Sequence, residues 1–123
     1  IVGNGRLVGK PLHKLWLDSG LNVAVVDRKT EDLEGTIMSA DVLVCATGAP
    51  GIIKSDMVKS DVIVVDAGVA TDKNGLVGDV DMSVREMPEV TITPQKGGVG
   101  PLTVCALFEN VITAARRTSE VPA

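Results

Sequence analysis

Residues 1–11, Ile1-Val2-Gly3-Asn4-Gly5-Arg6-Leu7-Val8-Gly9-Lys10-Pro11, decide the fold. Two β-branched residues are followed by Gly3, Gly5 and Gly9 and then by Pro11. Glycine permits close backbone approach and positive φ, and proline is pre-set for a first helical turn. The stretch therefore reads as strand, tight loop and helix start. In that arrangement the unpaired N–H groups of the helix and the positive end of its dipole face the loop, where a phosphate is the usual occupant.

The 123 residues suit one domain, and 45% hydrophobic residues supply a sizeable core. Only 2% are aromatic, Trp16 and Phe108 with no Tyr. The core must then be Val, Ile, Leu and Ala, the mix of parallel strands buried on both faces. The expected class is α/β, a Rossmann-like, doubly wound, mostly parallel sheet in a single domain over residues 1–118, with 119–123 a frayed tail. A net charge of −4 with scattered basic residues excludes an electrostatic footprint for nucleic acid or an anionic membrane. No run approaches the ~18 apolar residues of a membrane span, and no signal-peptide pattern is present, so a cytoplasmic location is expected. Cys45 and Cys105 lie in apolar runs without C-x-x-C spacing or a neighbouring His, and both read as buried thiols. No metal site is expected.

Outward from the first loop, β-rich runs alternate with helical candidates. "PLHKLWLDSG" places Leu12, Leu15, Trp16 and Ser19 on one helical face, points His13 away to the surface, and stops at Gly20, a C′ glycine. "LNVAVVD" is the second strand, and Thr30 is the expected N-cap of the helix in "TEDLEGTIMSA". "DVLVCAT" and "DVIVVDAGV" are the third and fourth strands, separated by a loop with a turn or two of helix capped by Ser55. Asn74-Gly75 marks a hairpin, and "VTIT" is a short fifth strand. "PQKGGVGPLTV" then leads into a last helix with Pro101 in its first turn. Glycine-rich turns thus follow strands one, three, four and five, and in an open α/β sheet these loops gather at one crevice.

Gly3, Gly5 and Gly9 depart by one residue from the usual dinucleotide fingerprint, but their context is the right one, between a strand and a helix. Asp27 ends the next strand, near where the fingerprint places an acidic group for the ribose 2′-hydroxyl. Arg28 and Lys29 follow it directly and suit a 2′-phosphate equally well, so these residues leave the cofactor open. Asp79 and Asp81 in "GDVD" resemble a carboxylate pair but are read as turn and capping residues.

"VGNGRLVGKP", "VCATGAPGII", "VIVVDAGV", "LVGDVD" and "ITPQKGGVGPLTV…LFENVITAA" occur in an order and spacing that closely resemble the cofactor domain of the bifunctional methylenetetrahydrofolate dehydrogenase/cyclohydrolase family. The resemblance covers essentially the whole chain, and "GGVGP" followed by Leu102 and Thr103 is its most specific element. It implies NAD(P) as cofactor, with phosphates on Gly3, Asn4 and Gly5 and the adenosine side along Thr47, Gly48 and Pro50. It places the nicotinamide beside Gly68, Val69, Gly98, Gly100 and Thr103. It also implies oxidation of 5,10-methylenetetrahydrofolate, hydrolysis to the 10-formyl form, and a homodimer.

Three departures from the family pattern matter. Gly3-Asn4-Gly5 stands where Gly-Arg-Ser is common, and Asp27 where a neutral or basic residue is usual. Both favour NAD over NADP, since a carboxylate repels a 2′-phosphate, with Arg6, Arg28 and Lys29 as the available compensation. Lys96 in "TPQKGGVGP" adds a charge beside the expected nicotinamide, where the family usually has "TPVPGGVGP". The family's catalytic lysine, its neighbouring tyrosine and most of the folate pocket belong to an N-terminal domain that this chain lacks. No catalytic residue is therefore assigned here, and the chain alone is expected to be inactive. The competing expectation is a non-catalytic dinucleotide-binding module of regulatory or structural function.

Overall fold

The computed structural model describes residues 1–120, with the side chain of Glu120 excepted. Strands β1 (Val42–Cys45), β2 (Ile63–Asp66) and β5 (Thr91–Ile92) form a parallel sheet in that order. Val44 pairs with Val65 in β2, and Val64 with Ile92 in β5. Val2 extends the sheet beyond β1, pairing in parallel with Cys45 on one side and Val26 on the other. The full order is therefore Val26, Val2, β1, β2, β5, a doubly wound arrangement. The second expected strand pairs with the first through Ala24 and Val26: Ala24 O accepts from the Ile1 amine, the Val26 N–H donates to Ile1 O, and Val26 O accepts the Gly3 N–H.

Burial follows the apolar runs. Leu43, Val44 and Cys45 in β1 are buried in succession, and Val2, Val26, Val62 and Val64 join them. Helices α1 (Gly9–Asp18), α2 (Leu33–Met38) and α3 (Met82–Arg85) connect the strands, and Ile37 and Val84 bring two of them into the core. Gly20 ends α1 as expected: it has φ +78°, its N–H bonds to Leu17 O, and the Leu21 N–H bonds to Trp16 O. Leu12 and Trp16 are half-buried on the expected face, but Leu15 and Ser19 are exposed and His13 is half-buried.

Two expected caps are replaced by better-placed groups. Asp32, not Thr30, caps α2, accepting the Gly35 N–H at 3.0 Å. The Thr30 hydroxyl is occupied instead by the Asp27 N–H. Ser55 begins a short 3-10 turn, Ser55–Met57, without capping it, and its N–H bonds to the Ser83 hydroxyl. The hairpin forms as β3 (Ala70–Asp72) against β4 (Gly75–Val77). Its turn is centred on Lys73-Asn74, one residue earlier than expected, and Gly75 takes the positive φ.

The last helix, α4 (Val99–Glu120), continues through Thr118, so the expected end at 118 falls inside it, while residues 121–123 lie outside the described residues. Every residue from Gly100 to Ser119 is exposed. Cys105 is therefore exposed, contrary to expectation, whereas Cys45 is fully buried. The apolar periodicity of "LTVCALF" is real, but nothing among the described residues covers it.

Candidate functional site

Each candidate residue leaves the carboxyl end of one strand. Asp27 and Arg28 follow Val26, Gly3 to Gly9 follow Val2, and Thr47 to Pro50 follow β1. Gly68 and Val69 follow β2, and Gly98 to Thr103 follow β5. The chain crosses from Val26 back over Val2 to reach β1, so connections diverge between Val2 and β1, which is where open α/β sheets hold ligands.

The glycines divide into two groups by what a side chain would meet. At Gly3, with φ +104°, a Cβ would lie 2.6 Å from Ala46 O, and at Gly9 it would overlap the carbonyl of Gly3. The strand, first loop and α1 are packed too closely for side chains there. At Gly68 a Cβ would overlap the Asp79 carboxylate, and at Gly98 it would lie 2.7 Å from Pro94 O. Gly5, Gly97 and Gly100 have nothing within 4 Å of that position. The space in front of these three is open to a ligand.

Asp27 is held by its own turn. Its Oδ1 accepts the Lys29 N–H at 2.8 Å, and its C=O accepts the Thr30 N–H. The exposed Oδ2 accepts no hydrogen bond among the described residues. Gly3 donates its N–H to Val26 O at 2.8 Å, which sets Asp27 directly beside the first loop.

Asp79 and Asp81 behave differently from one another. Asp81 caps α3 through the Ser83 N–H at 2.9 Å, as read from the sequence. Asp79 is neither a turn nor a capping residue: it is wholly buried, and its Oδ2 accepts both the N–H and the hydroxyl of Thr47, the latter at 2.8 Å. The Thr47 hydroxyl in turn accepts the Ala49 N–H at 3.0 Å. The loop after β1 is thereby fixed to the loop after β4. The other Asp79 oxygen, packed over Gly68, has no hydrogen-bond partner among the described residues.

Sequence reading missed Asp66 and Arg85. Asp66 Oδ2 lies 2.6 Å from Arg85 Nη2, with side chains only 3% and 10% exposed. Its two oxygens also accept the N–H groups of Gly68, Asp79 and Val80. Arg85 Nη1 donates to Thr93 O at 2.9 Å. The charged end of an otherwise apolar strand was the available signal for Asp66; nothing local marked Arg85. Burial pushes the neighbouring Cys45 thiol up to about 12, reinforced by Asp66 and Asp79, so it stays protonated near neutrality.

A cavity of about 560 Å³ opens at this edge. Gly68, Val69, Gly98, Gly100 and Thr103 line it, with Arg85, Lys96 and the hairpin's Asn74 to Val77. Its size suits a small-molecule site. The candidates on the first loop, Asp27, Arg28 and Thr47 to Pro50 lie outside it, although Val8 reaches its wall. A second cavity, about 450 Å³, sits at the opposite end of the sheet between Leu21 to Ala24, Val26 and Asp41 to Leu43, and holds no candidate residue. Among the described residues no group of three or more His, Cys, Asp or Glu could hold a metal ion, and no helix is long and apolar enough to cross a membrane.

Residues 1–119 match the tetrahydrofolate dehydrogenase/cyclohydrolase NAD(P)-binding domain. The chain belongs to this family. Its domain resembles the bifunctional protein FolD of Bordetella petrii, with 42% identity over 120 residues, spanning 97% of this chain and 41% of the relative. The dehydrogenase/cyclohydrolase of Thermoplasma acidophilum has a similar structure, with TM-score 0.89, 34% identity, and coverage of 98% of this chain and 44% of that one. A Trypanosoma brucei FolD structure complexed with NADP cofactor and inhibitor gives TM-score 0.86 at 32% identity, covering 98% of this chain and 43% of that one. The chain thus spans about two fifths of the FolD length. Against this family the expected Rossmann-like class stands, and so does NAD(P) as the type of ligand the domain takes.

Proposed function

We propose that residues 1–118 bind NAD or NADP across the five loops and serve a FolD-type enzyme that oxidises 5,10-methylenetetrahydrofolate to the methenyl form, which is then hydrolysed to 10-formyltetrahydrofolate. The observation that carries this reading is the cavity walled by Gly68, Val69, Gly98, Gly100 and Thr103, with Val8 of the first loop reaching its wall. The residues fit the cofactor: open glycine positions admit phosphates and a flat ring, where a Cβ would stand in the way. When bound, the dinucleotide supplies a ring that accepts hydride. This chain's residues orient it, with phosphates at Gly3, Asn4, Gly5 and Gly9, adenosine along Thr47, Gly48 and Pro50, and nicotinamide in the cavity.

Asp27 and Arg28 set the choice of cofactor in this reading. The free Asp27 Oδ2 accepts a ribose hydroxyl of NAD and repels the additional phosphate of NADP. Catalytic groups and most of the folate pocket belong to a segment outside this chain. The working enzyme is a cytoplasmic homodimer, and the chain alone is inactive.

Calorimetry and thermal melting with millimolar NAD and NADP test the reading. The expected result is a heat of binding and a raised melting temperature, larger with NAD. Asp27→Ser should shift the affinity ratio toward NADP. No heat and no stabilisation with either cofactor overturns the binding assignment, and an unchanged ratio assigns the preference to Arg28 and its neighbours instead.

A further inference from the structure

The wall of the 560 Å³ cavity carries three full charges, those of Asp66, Arg85 and Lys96. Two of them cancel. Asp66 and Arg85 form a buried pair at 2.6 Å, and Asp66 is saturated by three further N–H donors. Lys96 is exposed and joins no ion pair among the described residues. It lies between Pro94 and Gly98, in the loop whose open glycine, Gly97, has φ +72°. Directly beyond it α4 begins at Val99, with the positive end of its dipole toward the same space. Among the residues that line the cavity, Lys96 therefore carries the one charge without a partner, the Asp79 carboxylate lying behind Gly68 and outside the lining.

We infer that Lys96 makes this site discriminate between the two redox forms of its cofactor, favouring the reduced one. The inference rests on the placement of nicotinamide in this cavity. The oxidised ring is a cation and the reduced ring is neutral, while the pyrophosphate, ribose and adenine are the same in both. Lys96 attracts the shared phosphates equally in the two forms, so that contribution cancels in the ratio of affinities. Its repulsion of the ring acts on the oxidised form alone. Two unit charges about 7 Å apart interact by about RT at the dielectric of water, which is about a threefold change in the ratio, and by more where the charges are closer or water is excluded. Because bound-cofactor energetics follow differential affinity, the same charge makes the bound oxidised ring the better hydride acceptor and holds the reduced product longer.

The test measures dissociation constants of NAD⁺ and NADH, and of NADP⁺ and NADPH, for the unmodified chain and for Lys96→Gln. Calorimetry and the fluorescence of the reduced ring serve as readouts, with Lys59→Gln as a control. Lys59 pairs with Asp41 at the opposite end of the sheet. The expected result is an oxidised-to-reduced ratio of dissociation constants that falls about threefold in Lys96→Gln and stays unchanged in Lys59→Gln. The difference should shrink in about 1 M salt, where the screening length drops to about 3 Å. Both redox forms binding with an unchanged ratio in Lys96→Gln overturns the inference and leaves the binding assignment standing. An equal shift in the Lys59→Gln control also overturns it, since the effect is then one of net charge. If neither form binds the unmodified chain, the binding assignment itself fails and the inference falls with it.

Discussion

Asp66→Asn is the most searching perturbation of the framework behind the site. The substitution keeps the shape of the side chain but removes its charge, leaving the Arg85 guanidinium 10% exposed with no anion beside it. Among the described residues Arg85 Nε already lacks a partner, so Thr93 O is the remaining strong acceptor. Breaking a buried pair by neutralising one member costs about 3–5 kcal/mol. Asp66 and Arg85 both line the cavity, so water can reach the stranded cation and the cost should fall near the lower limit, about 3 kcal/mol. Asparagine also offers one acceptor where the carboxylate offers two, and the Val80 N–H, at 3.3 Å from Oδ2, then faces either an amide NH₂ or a reoriented side chain. For a domain of this size, whose whole stability is about 5–15 kcal/mol, that is a large fraction. The assay is urea unfolding followed by circular dichroism and by the fluorescence of Trp16, the only tryptophan. An unchanged m-value is required for the comparison. The double variant Asp66→Asn/Arg85→Met removes both charges, and its loss should be smaller than the sum of the two single losses by about 1–3 kcal/mol. A cost below about 1 kcal/mol for Asp66→Asn, or strict additivity in the double variant, would refute the argument that this pair is a buried, coupled charge.

Four further outcomes follow from particular residues. A thiol reagent at pH 8 should modify Cys105 within minutes and spare Cys45, whose thiol is buried and pushed up to about 12; mass spectrometry of the labelled peptides checks this. Gly100→Ala should leave folding intact or slightly strengthen α4 while weakening dinucleotide binding, whereas Gly68→Ala should destabilise the fold by forcing a methyl into the Asp79 carboxylate; melting and calorimetry separate the two. Ile53→Ala, at a side chain with no exposure, should cost about 2–5 kcal/mol, against less than about 1 for Phe108→Ala, 64% exposed on α4, in parallel urea titrations. The Asp81 carboxyl titrates below its ordinary 3.8 because the Ser83 backbone and hydroxyl bond to its charged form. Its contribution to α3 is therefore full above the unfolded value and is lost as pH falls below it, and an NMR titration of Asp81 should show that lowered midpoint.

The parts of this structure legible in the sequence are those specified within a few residues. Gly20 after an amphipathic run implies its own φ and its own capping bonds, and the apolar stretch "VLVC" implies a strand buried on both faces; the first appears as read, and the second does from Leu43 to Cys45, with Val42 exposed at the strand's start. Where two local signals compete, the sequence does not choose. Thr30 and Asp32 are both capable caps, but Thr30 is consumed by the Asp27 turn, so Asp32 is left to α2. Apolar periodicity reports which face of a helix is greasy and not whether anything covers it, which is why Cys105 reads as buried and stands exposed.

The framework of the site was illegible for a different reason. Asp79 reaches Thr47 across 32 residues and Asp66 reaches Arg85 across 19, and no spacing rule connects such positions before the sheet brings them together. The glycines show the same limit from the other side. The sequence marks Gly3, Gly5, Gly68, Gly98 and Gly100 alike, yet Gly3, Gly68 and Gly98 are glycine because the protein's own carbonyl and carboxylate oxygens occupy the space, while Gly5 and Gly100 face open space. The two kinds are interleaved along one edge, so the packing that excludes side chains from the first group holds in place the loops that carry the second. Asp79 does this twice, over Gly68 and through Thr47, and Asp66 does it through the N–H groups of Gly68 and Asp79 and the ion pair with Arg85. A buried carboxylate network is thus what ties together the loops that follow β1, β2 and β4 at this edge of the sheet.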